Sequence, residues 1–292
     1  NNLSKIKLNG ADNVTIDGSN NGSTSRNLTI INNTTTTSGN AVIWLASPAS
    51  GNGATNNTIK NTILEGNAST TTFLGMYVGG NTTISLTAAG NDNNSNNTIT
   101  NNLFRKTQYG LALFGYAASA PDNNNTISNN LFGTSAAGEG FQFEGIRADR
   151  QNGLVVSGND VQNVKATTGT TNLYGIRLLD CKNGQAYNNK VHNINYSGTS
   201  TAKVYGLAVQ SASYITSGNP SQSTIYNNIV YDITSSATSG VWNLTGMFAG
   251  QGYGDKYYFN SIHLTGQLNN SSSGLSAAFA NGDGNITSFG NN

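Results

Sequence analysis

The phrase NNTITNNLF at residues 96–104 returns as NNTISNNLF at 124–132, and looser versions run the length of the chain. Such a repeat restricts the fold more than any local signal, because each copy is one structural unit that must stack on the next. The series reads NVTIDGS around Ile16, NLTIINN around Ile30, NTIKNTI around Ile59, then Ile99 and Ile127. It continues as LVVSGNDV at Val156, QAYNNKV at Ala186, TIYNNIV at Ile225, YYFNSIHL at Tyr258 and NITSFGNN at Ile286. From Ile30 onward the steps are 29, 40, 28, 29, 30, 39, 33 and 28 residues, a period near 30 with occasional insertions.

A second family interleaves with the first: AVIWLAS from Ala41, GMYVGG from Gly75, GLALFG from Gly110, GIRADR from Gly145, GIRLLD from Gly175, GLAVQS from Gly206, GMFAGQ from Gly246 and SAAFANG from Ser276. Each is a glycine or turn residue followed by alternating side chains, the period-2 mark of a short strand. No window keeps apolar residues at helical spacing, and β-branched residues and Asn are poor helix formers. Two interleaved ladders at one period predict an all-β parallel β-helix of roughly nine coils, a single domain over residues 1–292.

Asparagine, 48 of 292 residues, fits this architecture. It tolerates the left-handed backbone region at a corner, and its amide can donate and accept along a stack of coils. Within the first family Ile59, Ile99, Ile127, Val156 and Ile225 are expected to point inward, with Thr58/Lys60, Thr98/Thr100 and Thr126/Ser128 outward. In the second, the outward stack reads Tyr77, Ala112, Arg147, Arg177, Ala208 and Phe248.

Only 9% of residues are charged and the net charge is +1, which gives no handle for nucleic acid. No apolar run approaches the length of a membrane span, so membrane insertion is not expected. Cys181 has no partner for a disulfide, and His192 and His263 alone do not make a metal site. They read as a packed thiol and solvent-facing imidazoles.

Against so few charges one cluster stands out. EGFQFEGIRADR supplies Glu139, Glu144, Arg147, Asp149 and Arg150, and the next coil adds Arg177, Asp180 and Lys182. Gly145 and Gly175 hold equivalent repeat positions, which places Arg147 above Arg177. Two guanidinium groups so close repel unless carboxylates or a ligand separate them. One reading is a subsite for an acidic or hydroxyl-rich glycan, with Arg147 and Arg177 gripping carboxylates and Glu144 or Asp149 as acid or base. The other is a surface salt-bridge ladder. Glu144 replaces the Leu74, Tyr109, Tyr174 and Tyr205 of other coils, so its carboxyl sits in an aromatic column and is expected to be desolvated. Tyr77 and Phe248 in the outward stack offer rings for a sugar.

GADNVTIDGSNNG near the start resembles the opening coil of right-handed β-helix proteins of the pectin-lyase-like superfamily. The phrases NNTIxNNxF, YNNIVYDI and KYYFNSIHLTG resemble repeats of large secreted surface proteins of Bacteroidota, often exported by the type IX route. The resemblance implies a right-handed, single-stranded β-helix at the cell surface or outside the cell, acting as a structural or adhesive module that contacts glycans. It also implies an alternative, a polysaccharide lyase or glycoside hydrolase acting on an acidic polysaccharide. In that case Glu144, Arg147, Asp149, Arg177 and Asp180 would be the catalytic set, with Ca2+ held by Glu144, Asp149 and Asp180. The hydrolase pattern of adjacent aspartates and a glycine-flanked histidine is missing. The chain opens and stops inside repeat units, so contact of its ends with further coils or another chain is expected.

Overall fold

The computed structural model describes residues 4–87, 90, 92–117, 119–212, 214–238, 242–250, 252–264, 276–282 and 286–290. Three ladders of parallel strands wind around one axis. The short ladder contains Thr15–Asp17, Thr58–Lys60, Thr98–Thr100, Thr126–Ser128, Val155–Ser157, Gln185–Tyr187, Thr224–Tyr226, Asp255–Tyr258 and Ile286–Gly290. The long ladder contains Ile6–Asn9, Ala41–Ser47, Leu74–Gly80, Thr107–Phe114, Phe141–Asp149, Leu173–Leu179, Val204–Gln210, Leu244–Ala249 and Ser276–Asn281. These are the two families read from the sequence, and the nine rungs of each bear out the parallel β-helix.

A third, intermediate ladder follows the short one in each coil: Leu28–Asn32, Thr62–Gly66, Leu103–Arg105, Leu131–Phe132, Asp160–Ala166, Lys190–Tyr196, Ile229–Ser235 and Ser261–His263. Three residues of the first family change place: Ile30, Tyr258 and Ile286, the last because Phe289 stands in register with Tyr257 and Ile286 with Asp255. Ile30 pairs with Leu64 in the intermediate ladder, so the rung before Ile59 is Ile16. Tyr257, not Tyr258, stands in register with Ile225 and enters the core.

The core is a single column filled from all three ladders. Ile59, Ile99, Ile127, Val156 and Ile225 from the short ladder are fully buried, as are Met76, Leu111, Ile146, Ile176, Leu207 and Met247 from the long one. Phe104 and Phe132 stack in it, ring centroids 4.5 Å apart. The repeated glycine inside the four long strands from Phe141–Asp149 to Leu244–Ala249 has a steric cause. A Cβ on Gly145, Gly175, Gly206 or Gly246 would stand 2.3 Å from a methyl of Val161, Val191, Val230 or Ile262 on the intermediate ladder.

The asparagine pairs divide two tasks between them. After each short strand the first residue of the pair takes a left-handed conformation: Asn61, Asn101, Asn129, Asn188 and Asn227 have φ between 51° and 57°, and Gly158 has 64°. The second residue turns inward and forms a buried column of Asn102, Asn130, Asn159, Asn189, Asn228 and Asn260. From Asn130 onward each side-chain oxygen accepts from the backbone N–H and the amide of the asparagine in the preceding coil, while that of Asn102 accepts from the backbone N–H and hydroxyl of Thr62. For Asn130 as acceptor the distances from Asn102 are 2.9 and 3.1 Å. Each amide also donates to the carbonyl of a short-ladder residue in the preceding coil, as Asn130 does to Ile99 at 2.9 Å. The buried polar column therefore satisfies itself.

Candidate functional site

The outward face of the long ladder carries the site. Its register is that read from the glycines: Trp44, Tyr77, Ala112, Arg147, Arg177, Ala208 and Phe248 are cross-strand neighbours in that order. Beside it runs the column Leu74, Tyr109, Glu144, Tyr174 and Tyr205. Glu144 thus lies between two tyrosines along the axis and is only 3% exposed.

Glu144 Oε1 accepts a hydrogen bond from Arg177 Nη1 at 3.4 Å and pairs with Arg147 Nη1 at 3.5 Å. Like charges opposite one another on a sheet destabilise it, and this shared carboxylate oxygen offsets the repulsion. Each guanidinium is held further. Arg147 lies over the Phe114 ring at 4.9 Å, donates to Leu86 O at 3.2 Å and stands 3.8 Å from Asp149 Oδ2. Arg177 lies over Tyr174 at 4.7 Å and donates from Nε to Gln210 Oε1 at 3.0 Å. Burial raises the Glu144 carboxyl above its ordinary range despite the two arginines, as expected for a carboxyl in that column. Burial likewise raises Asp149, which also pairs with Arg150 at 3.3 Å.

Other members of the sequence cluster lie elsewhere. Asp180 has φ 53° at a coil corner, and its Oδ1 accepts Ser211 Oγ at 2.7 Å and Ala212 N at 3.0 Å, so it ties down the following loop. Glu139 pairs with Arg105 at 2.8 Å on the intermediate ladder, where Glu65 also binds Arg105 and Lys106. Calcium does not fit Glu144, Asp149 and Asp180: Arg147 stands between the first two, and Oδ1 of Asp180 is taken by a hydroxyl and a backbone amide. Among the described residues no three His, Cys, Asp or Glu side chains gather as metal ligands. Cys181 is buried with its thiol pushed up by burial. His192 is not solvent-facing: it stacks on Tyr231 at 4.8 Å and meets Asp160 Oδ1 at 2.9 Å.

The outward aromatics need correction. Tyr77 points away from the core as expected, yet it is 0% exposed. Ile84 and Leu86, from the segment after the Leu74–Gly80 strand, pack in one cluster with Trp44, Tyr77, Ala112 and Phe114. Tyr77 therefore offers no ring to a sugar, and burial pushes its hydroxyl up to about 12. Phe248 keeps a partly open ring. It tilts against Tyr205, centroids 5.3 Å apart, and borders a shallow depression of about 240 Å3 with Gln210, Ser211, Gly250 and Gly282. Nothing in the sequence repeat marks this depression except the glycines at 250 and 282.

No protein-family model matches the chain, and no curated protein matches it. Among solved structures it is similar to the Streptococcus pneumoniae surface protein and adhesin PfbA, with TM-score 0.36 and 12% identity over 94% of this chain and 68% of that one. A second PfbA structure gives TM-score 0.32 and 14% identity over 97% and 72%. An alginate lyase from Paenibacillus sp. str. FPU-7 gives TM-score 0.28 and 11% identity over 88% and 98%. These likenesses are loose, and the fold rests on the strand ladders themselves.

Proposed function

We propose that the chain is an extracellular structural or adhesive β-helix module of a bacterial surface protein, contacting glycans on the outer face of the long ladder. The observation that carries this reading is the closure of Glu144. A general acid or base must reach the proton it transfers, and this carboxyl is buried, shared by two arginines, with Arg147 itself tied to the Leu86 carbonyl. The cluster reads as a fastener that joins two coils and the segment laid over them. Export by the type IX route, a Bacteroidota source, and contact of the end coils with further coils or another chain belong to the same proposal.

Incubation with a panel of acidic and neutral polysaccharides, read for retention and cleavage together, tests the reading. Retention without new chain ends is expected. Cleavage that Arg147→Ala abolishes would overturn it.

A further inference from the structure

Along the outer column of the long ladder, chemistry changes from one end to the other. Trp44 and Tyr77 are buried, Arg147 and Arg177 are engaged by Glu144, and Ala208 is buried. Among the described residues of this column Phe248 is the one aromatic side chain left partly open.

Two glycines keep it open. A Cβ on Gly250 would stand 2.6 Å from Phe248 Cε1, and one on Gly282 would stand 3.0 Å from Cζ. Neither glycine has the left-handed backbone that would demand the residue, so what glycine supplies at both positions is room against the ring. Among the described residues the rim is polar and uncharged. Gln210 Oε1 already accepts Arg177 Nε at 3.0 Å and its amide donates to the Tyr174 hydroxyl, which leaves one amide N–H as the donor. The Ser211 hydroxyl donates to Asp180 at 2.7 Å and accepts Ile215 N at 3.1 Å, so it is a fixed wall.

We propose that this depression is a subsite for one neutral pyranose ring, its apolar face on Phe248 and a hydroxyl on the Gln210 amide. Resting on the glycan-contacting reading above, the inference names the class of sugar. A volume of about 240 Å3 takes a single ring. An apolar peptide side chain would strip water from the Gln210 amide and give it no acceptor. A uronate would bring a carboxylate to a lining that, among the described residues, carries no cation.

Affinity electrophoresis in gels containing xylan, mannan or a β-glucan, with alginate and polygalacturonate as acidic counterparts, tests it. The wild-type chain is expected to be retarded by at least one neutral polymer. Phe248→Ala and Gly282→Ala should each weaken that retardation tenfold or more, while Phe248→Tyr keeps it. Gly282→Ala retains the ring and fills the depression, so it decides the matter if Phe248→Ala does not fold. Retardation by a neutral polymer that neither variant changes overturns the subsite and leaves the glycan-contacting reading standing. Retardation by acidic polymers alone overturns the neutral assignment. No retardation by any polymer overturns both.

Discussion

Glu144 Oε1 lies 3.4 Å from Arg177 Nη1 across the boundary between two coils, and the same oxygen stands 3.5 Å from Arg147. Removing one partner from a buried pair leaves uncompensated charge at a cost of roughly 3–5 kcal/mol. Glu144→Gln is therefore expected to destabilise the fold by about 3 kcal/mol in urea unfolding at pH 7. Arg177→Ala in the Glu144→Gln background should cost much less than Arg177→Ala alone. Additive losses would show that the two side chains do not act together.

Asn129 and Asn130 are neighbours with different duties. Asn129 is exposed with φ 55°, a conformation glycine adopts freely, whereas Asn130 is 2% exposed and serves Asn102, Asn159 and Ile99. Asn129→Gly should change stability by less than about 1 kcal/mol. Asn130→Ala, which orphans buried donors in the adjoining coil, should cost about 3 kcal/mol. Equal losses, measured by thermal unfolding, would contradict the division of labour within each pair.

Asp122 is wholly buried in another column of corner residues. Its Oδ1 accepts Asn94 N at 2.9 Å, its Oδ2 meets Gln151 Nε2 at 3.4 Å, and burial lifts its carboxyl to about 8. A carboxyl with a raised folded pKa keeps a proton that the unfolded chain loses. Its contribution is complete below the ordinary carboxylate pKa and is lost as pH rises through the folded value. Glu144 and Asp149, both raised by burial, tilt stability the same way. Asp122→Asn removes the ionisable group while keeping an oxygen acceptor, so it should gain on the order of 2 kcal/mol at pH 8 and flatten the slope between about pH 5 and 8. An unchanged slope in melts across that range would refute the assignment.

Phe259 occupies the corner that asparagine or glycine fills in the coils from Asn61 to Asn227, with φ 53° and 60% of its surface exposed. A bulky residue in the left-handed region costs roughly 1–2 kcal/mol, and Asn is largely exempt. Phe259→Asn should therefore stabilise the chain by about 1 kcal/mol in chemical unfolding. A loss of stability would mean that the ring packs more than its exposure indicates.

The repeat made the coil count, the inward isoleucines and the stacking of Arg147 on Arg177 legible, because register follows from glycines at equal spacing. The intermediate ladder was hidden: a strand as short as Leu131–Phe132 reads as the tail of the phrase before it. The cover over Tyr77 was hidden as well. Residues 81–87 have no counterpart in other coils, so periodicity says nothing about where Ile84 and Leu86 pack. Their trace is the 40-residue step from Ile59 to Ile99, which marks an insertion without fixing the surface it covers. The closure of Glu144 depends on that cover through Arg147 and Leu86, which is why two readings of the cluster stayed open in the sequence.

On the proposed reading, the Glu144 cluster fastens coils and does no chemistry. Its most direct test is side-by-side incubation of the wild-type chain and Glu144→Gln with acidic and neutral polysaccharides, measuring new reducing ends and unsaturated products at a temperature where both are folded. No product is expected from either protein. Product from the wild-type chain that disappears in Glu144→Gln would contradict that reading.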